Sequence, residues 1–331
     1  MELFTLLLYF CMRRTAIITH PDCELHDTGP YHPESPRRLH AIIEYLQGST
    51  LGSQVTWLTP GPAAGKWIDR IHDTSYRKYV EEVCLTGRTL LDGGDTHVCA
   101  DSYHAAMLSA GGALMAIDAV LRDGFERVFV ATRPPGHHAK RAEAMGFCLF
   151  NNVAIAARYA QETYGLKRVV IVDWDVHHGN GTQEAFYDDP SVLFVSLHQS
   201  PLYPDSGYLH ELGEGDGHGH TVNIPLPPGS DITTYRAAFH DRIIPAVNDF
   251  APDLILISAG FDAHESDPLA GMKLRTQDFA EMTRLISQLT EIHCGGRLIS
   301  LLEGGYNIEA LARSVHAHVE TLAEVGVVGV R

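Results

Sequence analysis

Positive charge is scarce in this sequence. Against 41 Asp and Glu, the 331 residues include only 25 Lys and Arg, a formal net charge of -16, and no basic run long enough to follow a phosphate backbone. That excludes a nucleic-acid partner and leaves an acidic surface that favours cationic substrates such as amines and Lys-rich tails. Cysteine is sparse as well: Cys11, Cys23, Cys84, Cys99, Cys148 and Cys294 are scattered with no C-x-x-C pair. This excludes a zinc finger and a disulfide framework and fits reduced thiols. A membrane-length hydrophobic opening is missing too. Residues 1–10 are apolar, but they carry Glu2 instead of a basic flank, lack a small-x-small cleavage site and are too short to cross a bilayer. No membrane partner and a cytoplasmic location are therefore expected. Met12, ahead of Arg13 and Arg14, offers a second start, so residues 1–14 read either as an extension or as an edge element.

No repeat, low-complexity tract or Pro/Ser-rich linker divides what remains, and 45% hydrophobic with 20% charged residues suffices for a sizeable core. One catalytic domain over residues 15–331 is expected. Continuous apolar, β-branched runs recur at residues 16–19, 127–132, 168–172, 192–197, 254–258 and 297–302. Runs that do not alternate predict strands covered on both faces. Helical spacing lies between them at residues 37–46, 101–121, 276–292 and 307–322, each behind capping residues such as Ser35 with Pro36. The alternation predicts an α/β fold, a single domain with a mostly parallel central sheet flanked by helices. Loops rich in Gly, Pro, His and Asp follow the strands, where an open α/β sheet places its ligand.

Chemistry concentrates in those loops. In Asp173-Trp-Asp-Val-His177 the acidic and imidazole groups are spaced by two, so a strand continuing that far would project all three from one face. Bare Asp and His at a strand end read equally well as caps and turn residues. Asp262, straight after another apolar run, supplies a second anionic ligand, and an Asp/His/Asp set leaves positions open for water and substrate. His137 and His138 follow Arg-Pro-Pro-Gly in a loop; paired imidazoles suit acid/base work near neutral pH, although a surface loop would also tolerate them. Tyr306, in Glu-Gly-Gly-Tyr-Asn at 303–307, offers a hydroxyl to a developing oxyanion, or merely packs.

Taken in order, residues 133–139, Gly-Phe-Cys-Leu-Phe-Asn-Asn at 146–152, residues 173–181, Ser-Leu-His at 196–198, Asp262 with Asp-Pro-Leu at 267–269, and residues 303–307 resemble the motifs of the zinc-dependent histone deacetylase and acetylpolyamine amidohydrolase family. The likeness runs from about His20 to about Leu322 and is strongest to the class II branch and its bacterial amidohydrolase relatives. It implies the arginase/deacetylase-like fold and an enzyme that cleaves an N-acetyl amide with a metal-activated water. By the resemblance, Asp175, His177 and Asp262 bind Zn2+, with Fe2+ or Co2+ also able to serve. His138 is the implied general base and then acid, His137 assists, and Asp173 orients His137. Asn180 stands where class I relatives carry Asp. Tyr306 is expected to bind the carbonyl oxygen. Phe147, Tyr203, Leu269 and Gly304 are expected to form a tunnel for a linear amine, with Arg38 below the metal on an acetate exit. A structural K+ is expected among Asp173, Asp175, His177, Ser196 and Leu197.

Substrates implied are acetylated proteins, peptides or small amines, and a homo-oligomer is allowed for. An acetylpolyamine deacetylase is the nearest rival, weakened by Leu269 where one dedicated polyamine branch has Glu. An arginase-like dimetal hydrolase needs a denser Asp set, and a non-catalytic acyl-lysine binder would be expected to lack Tyr306. With no added domain or basic tail visible, a minimal stand-alone enzyme of bacterial type is expected.

Overall fold

Residues 13–91 and 94–324 are described by the computed structural model; the apolar opening, Cys11 and Met12 lie outside the described residues. Eight parallel strands form one sheet: β1 (Thr15–Ile18), β2 (Thr56–Leu58), β3 (Arg127–Val130), β4 (Val169–Asp173), β5 (Val192–Gln199), β6 (Thr221–Leu226), β7 (Leu254–Ala259) and β8 (Leu298–Leu302). Their spatial order is β2-β1-β3-β8-β7-β4-β5-β6. The helices are α1 (Pro36–Gly48), α2 (Gly65–Ile68), α3 (Thr74–Leu85), α4 (Ser102–Leu121), α5 (Asn152–Tyr164), α6 (Asn180–Ala185), α7 (Ile232–Ala238), α8 (Ile244–Phe250), α9 (Thr276–His293) and α10 (Ile308–Ala323).

The continuous apolar runs are explained by two cores. Within β4, Val170 and Val172 pack into one cluster with Ile42 of α1, Ile286 of α9 and Val315 of α10. Val169 and Ile171 point the other way, toward Ala116 and Ile117 of α4 and Ala156 of α5. β4 therefore alternates between two apolar layers, both of its faces covered. Among the described residues α4 alone is long and apolar enough to cross a membrane, but most of it is buried inside the protein. Its Ala106, Ala110 and Leu114 meet Tyr76 and Val80 of α3, which cover its outer side.

This topology selects where a site can form. β3, β8, β7 and β4 are consecutive neighbours at the centre of the sheet, yet far apart in sequence. Their carboxyl ends bring residues 133–138, 303–306, 260–267 and 174–178 to one place, where the order of winding reverses.

Candidate active site

Asp175, His177 and Asp262 are buried with ligand-capable atoms all within 4.8 Å of one another. His177 Nδ1 lies 3.1 Å from Asp175 Oδ1 and 3.3 Å from Asp262 Oδ2. β4 ends at Asp173, so Asp175 and His177 do not share its face as strand spacing predicts. The chain instead bends through two side-chain turns. The Asp175 N–H donates to Asp173 Oδ1 at 3.1 Å, and the His177 N–H to Asp175 Oδ1 at 2.9 Å. Asp175 thus both shapes a turn and belongs to the trio that could hold a metal.

Whether a cation fits can be judged from Asp262. Its Oδ1 accepts the Val176 N–H at 2.9 Å, but its buried Oδ2 has no hydrogen-bond partner. Burial, and next the nearby Asp175, push the Asp262 carboxyl up to about 7. A buried carboxylate oxygen that makes no hydrogen bond, with a second carboxylate and an imidazole nitrogen beside it, fits a divalent cation with open positions.

The paired histidines stand against this trio, their ring centroids 4.0 Å apart. His137 Nδ1 contacts Asp173 Oδ2 at 3.0 Å, and His138 Nδ1 contacts Asn180 Oδ1 at 2.7 Å. Burial opposes a charge on His137, but Asp173 and Asp175 outweigh it and raise the imidazole to about 10. His138 has no such carboxylate partner. Burial, then the charges of His137 and His177, hold it well below its usual value. Glu303, which sequence reasoning quoted only as a motif letter, accepts the N–H groups of Gly136 at 2.7 Å and His137 at 3.2 Å. An acid directly after a largely apolar strand was the signal available for it.

A cavity of about 260 Å³ opens onto these groups, lined by Asp95, His138, Gly146, Phe147, His177, Leu202, Tyr203, Leu269 and Tyr306. Of the residues read as tunnel walls, Phe147, Tyr203 and Leu269 line this cavity. Gly304 does not line the cavity. Its N–H donates to Asp175 Oδ2 at 2.7 Å, and a Cβ there would collide with the Asp262 and Asp175 carboxylates, so its lack of a side chain makes room for the ligands instead. Gly146, at φ 56°, similarly clears the ring of His138. Asp95 and Leu202 had no sequence signal, being loop residues outside any motif.

Arg38 is fully buried below the tyrosine, 5.0 Å from its ring, with Nε donating to Gly305 O at 2.6 Å and Nη2 donating to Glu303 O. Burial raises the Tyr306 hydroxyl well above its usual value, although Arg38 opposes this, so the group stays a proton donor. Of the residues read as potassium ligands, Asp173 and Ser196 are register partners on β4 and β5, with Leu197 next in β5.

A family model described as a histone deacetylase domain matches residues 32–322. The chain is 41% identical to a probable deacetylase of Archaeoglobus fulgidus, over 89% of this chain and 82% of that protein. It is 39% identical to the polyamine deacetylase HDAC10 of Mus musculus over 93% of this chain, but spans only 48% of that longer protein. The crystal structure of the HDA15 HD domain superposes with a TM-score of 0.89 at 34% identity, covering 95% of this chain and 89% of that one.

Proposed function

The chain belongs to the histone deacetylase family, and on that premise we propose that it hydrolyses the N-acetyl amide of lysine side chains or similar linear amines, with zinc at Asp175, His177 and Asp262. The observation that carries this reading is the buried trio of Asp175, His177 and Asp262, whose ligand-capable atoms lie within 4.8 Å of one another and whose His177 lines a cavity shared with His138 and Tyr306. Fe2+ or Co2+ suits the same carboxylate-rich set, which is less thiophilic than structural zinc sites. A K+ near Asp173, Ser196 and Leu197, and a cytoplasmic location, belong to the same reading.

When bound, the divalent cation polarises the carbonyl and makes water nucleophilic at neutral pH. The remaining steps fall to side chains. Asn180 Oδ1 can only accept, so His138 carries its hydrogen on Nδ1 and presents a free lone pair at Nε2. His138 takes the proton of the attacking water there and delivers it to the departing nitrogen as the carbon–nitrogen bond breaks, releasing a carboxylic acid and a free amine. Charged His137, 4.0 Å away, favours the neutral state of His138 before attack. The Tyr306 hydroxyl donates to the carbonyl oxygen as negative charge develops on it.

Free amine released from an acetyl-lysine peptide and from acetylated putrescine or spermidine is the discriminating measurement, made on zinc-loaded wild type, Tyr306→Phe and His138→Ala. Losing an oxyanion donor costs roughly 10²–10³ in kcat, and the base variant is expected to fall at least as far. Wild-type rates in both variants would sink the mechanism. A strong preference for the polyamine would favour the second reading, which the presence of an acidic residue, Asp95, in the cavity wall supports.

A further inference from the structure

We propose that Asp267 is a positioning residue that ties the gate of the cavity to the tyrosine at its floor, so that Leu269 and Tyr306 hold their places as one unit. The inference rests on the role given above to Tyr306. Asp267 lies in the loop after β7 and is only 7% exposed. One carboxylate oxygen, Oδ1, accepts the N–H of Leu269 at 3.0 Å. The other, Oδ2, accepts the N–H groups of Tyr306 at 2.7 Å and Asn307 at 3.2 Å from the loop after β8. A second tie runs beside it, the Asn307 side-chain amide donating to Ser266 O at 3.0 Å.

The tyrosine needs such a tie because of what precedes it. Gly304 and Gly305, the latter at φ 125°, have no side chains to pack, so only backbone bonds can hold the segment. Upstream anchors hold those glycines: Gly304 O accepts the Phe261 N–H at 3.0 Å, and Gly305 O accepts from Arg38 at 2.6 Å. The N–H of Tyr306 itself goes to Asp267. Bonds to an ionised carboxylate are roughly twice as strong as neutral ones, and three of them converge here from two loops. An aliphatic chain pressed against Leu269 therefore pushes on the same carboxylate that sets the height of the Tyr306 backbone. Neither loop alone fixes the distance between gate and hydroxyl.

The test is kcat and KM on an acetyl-lysine peptide for the metal-loaded full chain as wild type, Asp267→Asn, Tyr306→Phe and the double variant, with residual turnover followed by mass spectrometry. Asparagine keeps the shape but turns one acceptor into a donor. A small displacement of a reacting group costs up to about 10²-fold, so Asp267→Asn is expected to lower kcat by roughly 10- to 100-fold with a smaller change in KM. In the Tyr306→Phe background the same substitution is expected to cost less than about 3-fold, because groups acting as one unit are not additive. Equal losses in both backgrounds, or none in the wild-type background, would overturn the proposal. Wild-type turnover by Tyr306→Phe alone would instead show that the reading beneath it is wrong. Should Asp267→Asn not fold, Asn307→Ser keeps an N-cap hydroxyl for α10 and removes only the bond to Ser266. Its loss of kcat, a few-fold by the same logic, must likewise vanish without the Tyr306 hydroxyl.

Discussion

The 2.7 Å contact between Asn180 Oδ1 and His138 Nδ1 joins an acceptor that never ionises to an imidazole only 4% exposed. An aspartate in its place would bring a negative charge to hydrogen-bond distance, favour the imidazolium and raise the pKa of His138. Because the base works only when neutral, the acidic limb of the kcat/KM profile is expected to move to higher pH in Asn180→Asp, by about one unit or more. A pH–rate series on the zinc-loaded variant checks this, and an unmoved limb would mean that another group is the base. The site was legible at this scale because its chemistry requires rare residue types directly after strands, as at His137, His138, Asp175 and Asp262. What sequence could not supply was where each strand stops. Extending β4 past Asp173 put Asp175 and His177 on a strand face, whereas side-chain turns deliver them to the site. Gly304 shows a related limit of sequence: a glycine beside a pocket and a glycine packed against buried carboxylates look alike without coordinates.

Among the elements, the six inner or longer strands were readable from continuous apolar runs, and β2 and β6 were not. Both are edge strands. β2 is three residues long with no buried position, and β6 contains Pro225, which an edge tolerates because one side of it makes no ladder. Equally hidden was what fastens α1 to the end of β3. Glu34, just ahead of α1, bonds Arg38 Nη1 at 3.0 Å and takes both Nε and Nη2 of Arg133, the latter at 2.6 Å. All three side chains are fully buried. Burial pushes the Glu34 carboxyl up, but Arg133 and Arg38 outweigh it and hold it at about 2. Glu34→Ala leaves two guanidinium groups without their anion. Removing one partner of a buried pair typically costs about 3–5 kcal/mol, and that loss is expected in urea unfolding of the metal-loaded protein. A loss below about 1 kcal/mol, the range of exposed pairs, would show that water or the neighbouring carbonyls already satisfy the arginines.

For the molecule as a whole, the interior sets an acid limit. Burial, the leading cause in each case, holds His26, His198 and His318 at about 3 and His72 and His178 at about 4. In the unfolded chain these groups take a proton near 6.5. Their contribution to stability is thus complete above about pH 6.5 and is lost as pH falls toward the folded values, each by up to about 1.4 kcal/mol per pH unit. His137, raised to about 10, is charged in either state below about pH 6 and adds little slope there. One buried carboxyl works the other way at first. Glu303, pushed up to about 7, binds a proton in the folded state before the unfolded one does. Below about pH 4 it is protonated in both states, so its opposition ends just as Glu34 begins to lose its ion pairs. Five histidines outweigh the opposing carboxyl, so stability is expected to decline markedly from about pH 6.5 downward and more steeply below about pH 4.5. His318 isolates the cause: its ring spans Thr283 Oγ1 at 2.6 Å and Ser300 Oγ at 2.9 Å and has no charged partner. Urea midpoints between pH 8 and 3.5 are expected to be lower for His318→Gln at neutral pH, with a slope between pH 6 and 4 shallower by about 1 kcal/mol per unit. An unchanged slope would mean that His318 accepts its proton within the folded protein and that the interior tolerates charge where burial says it should not.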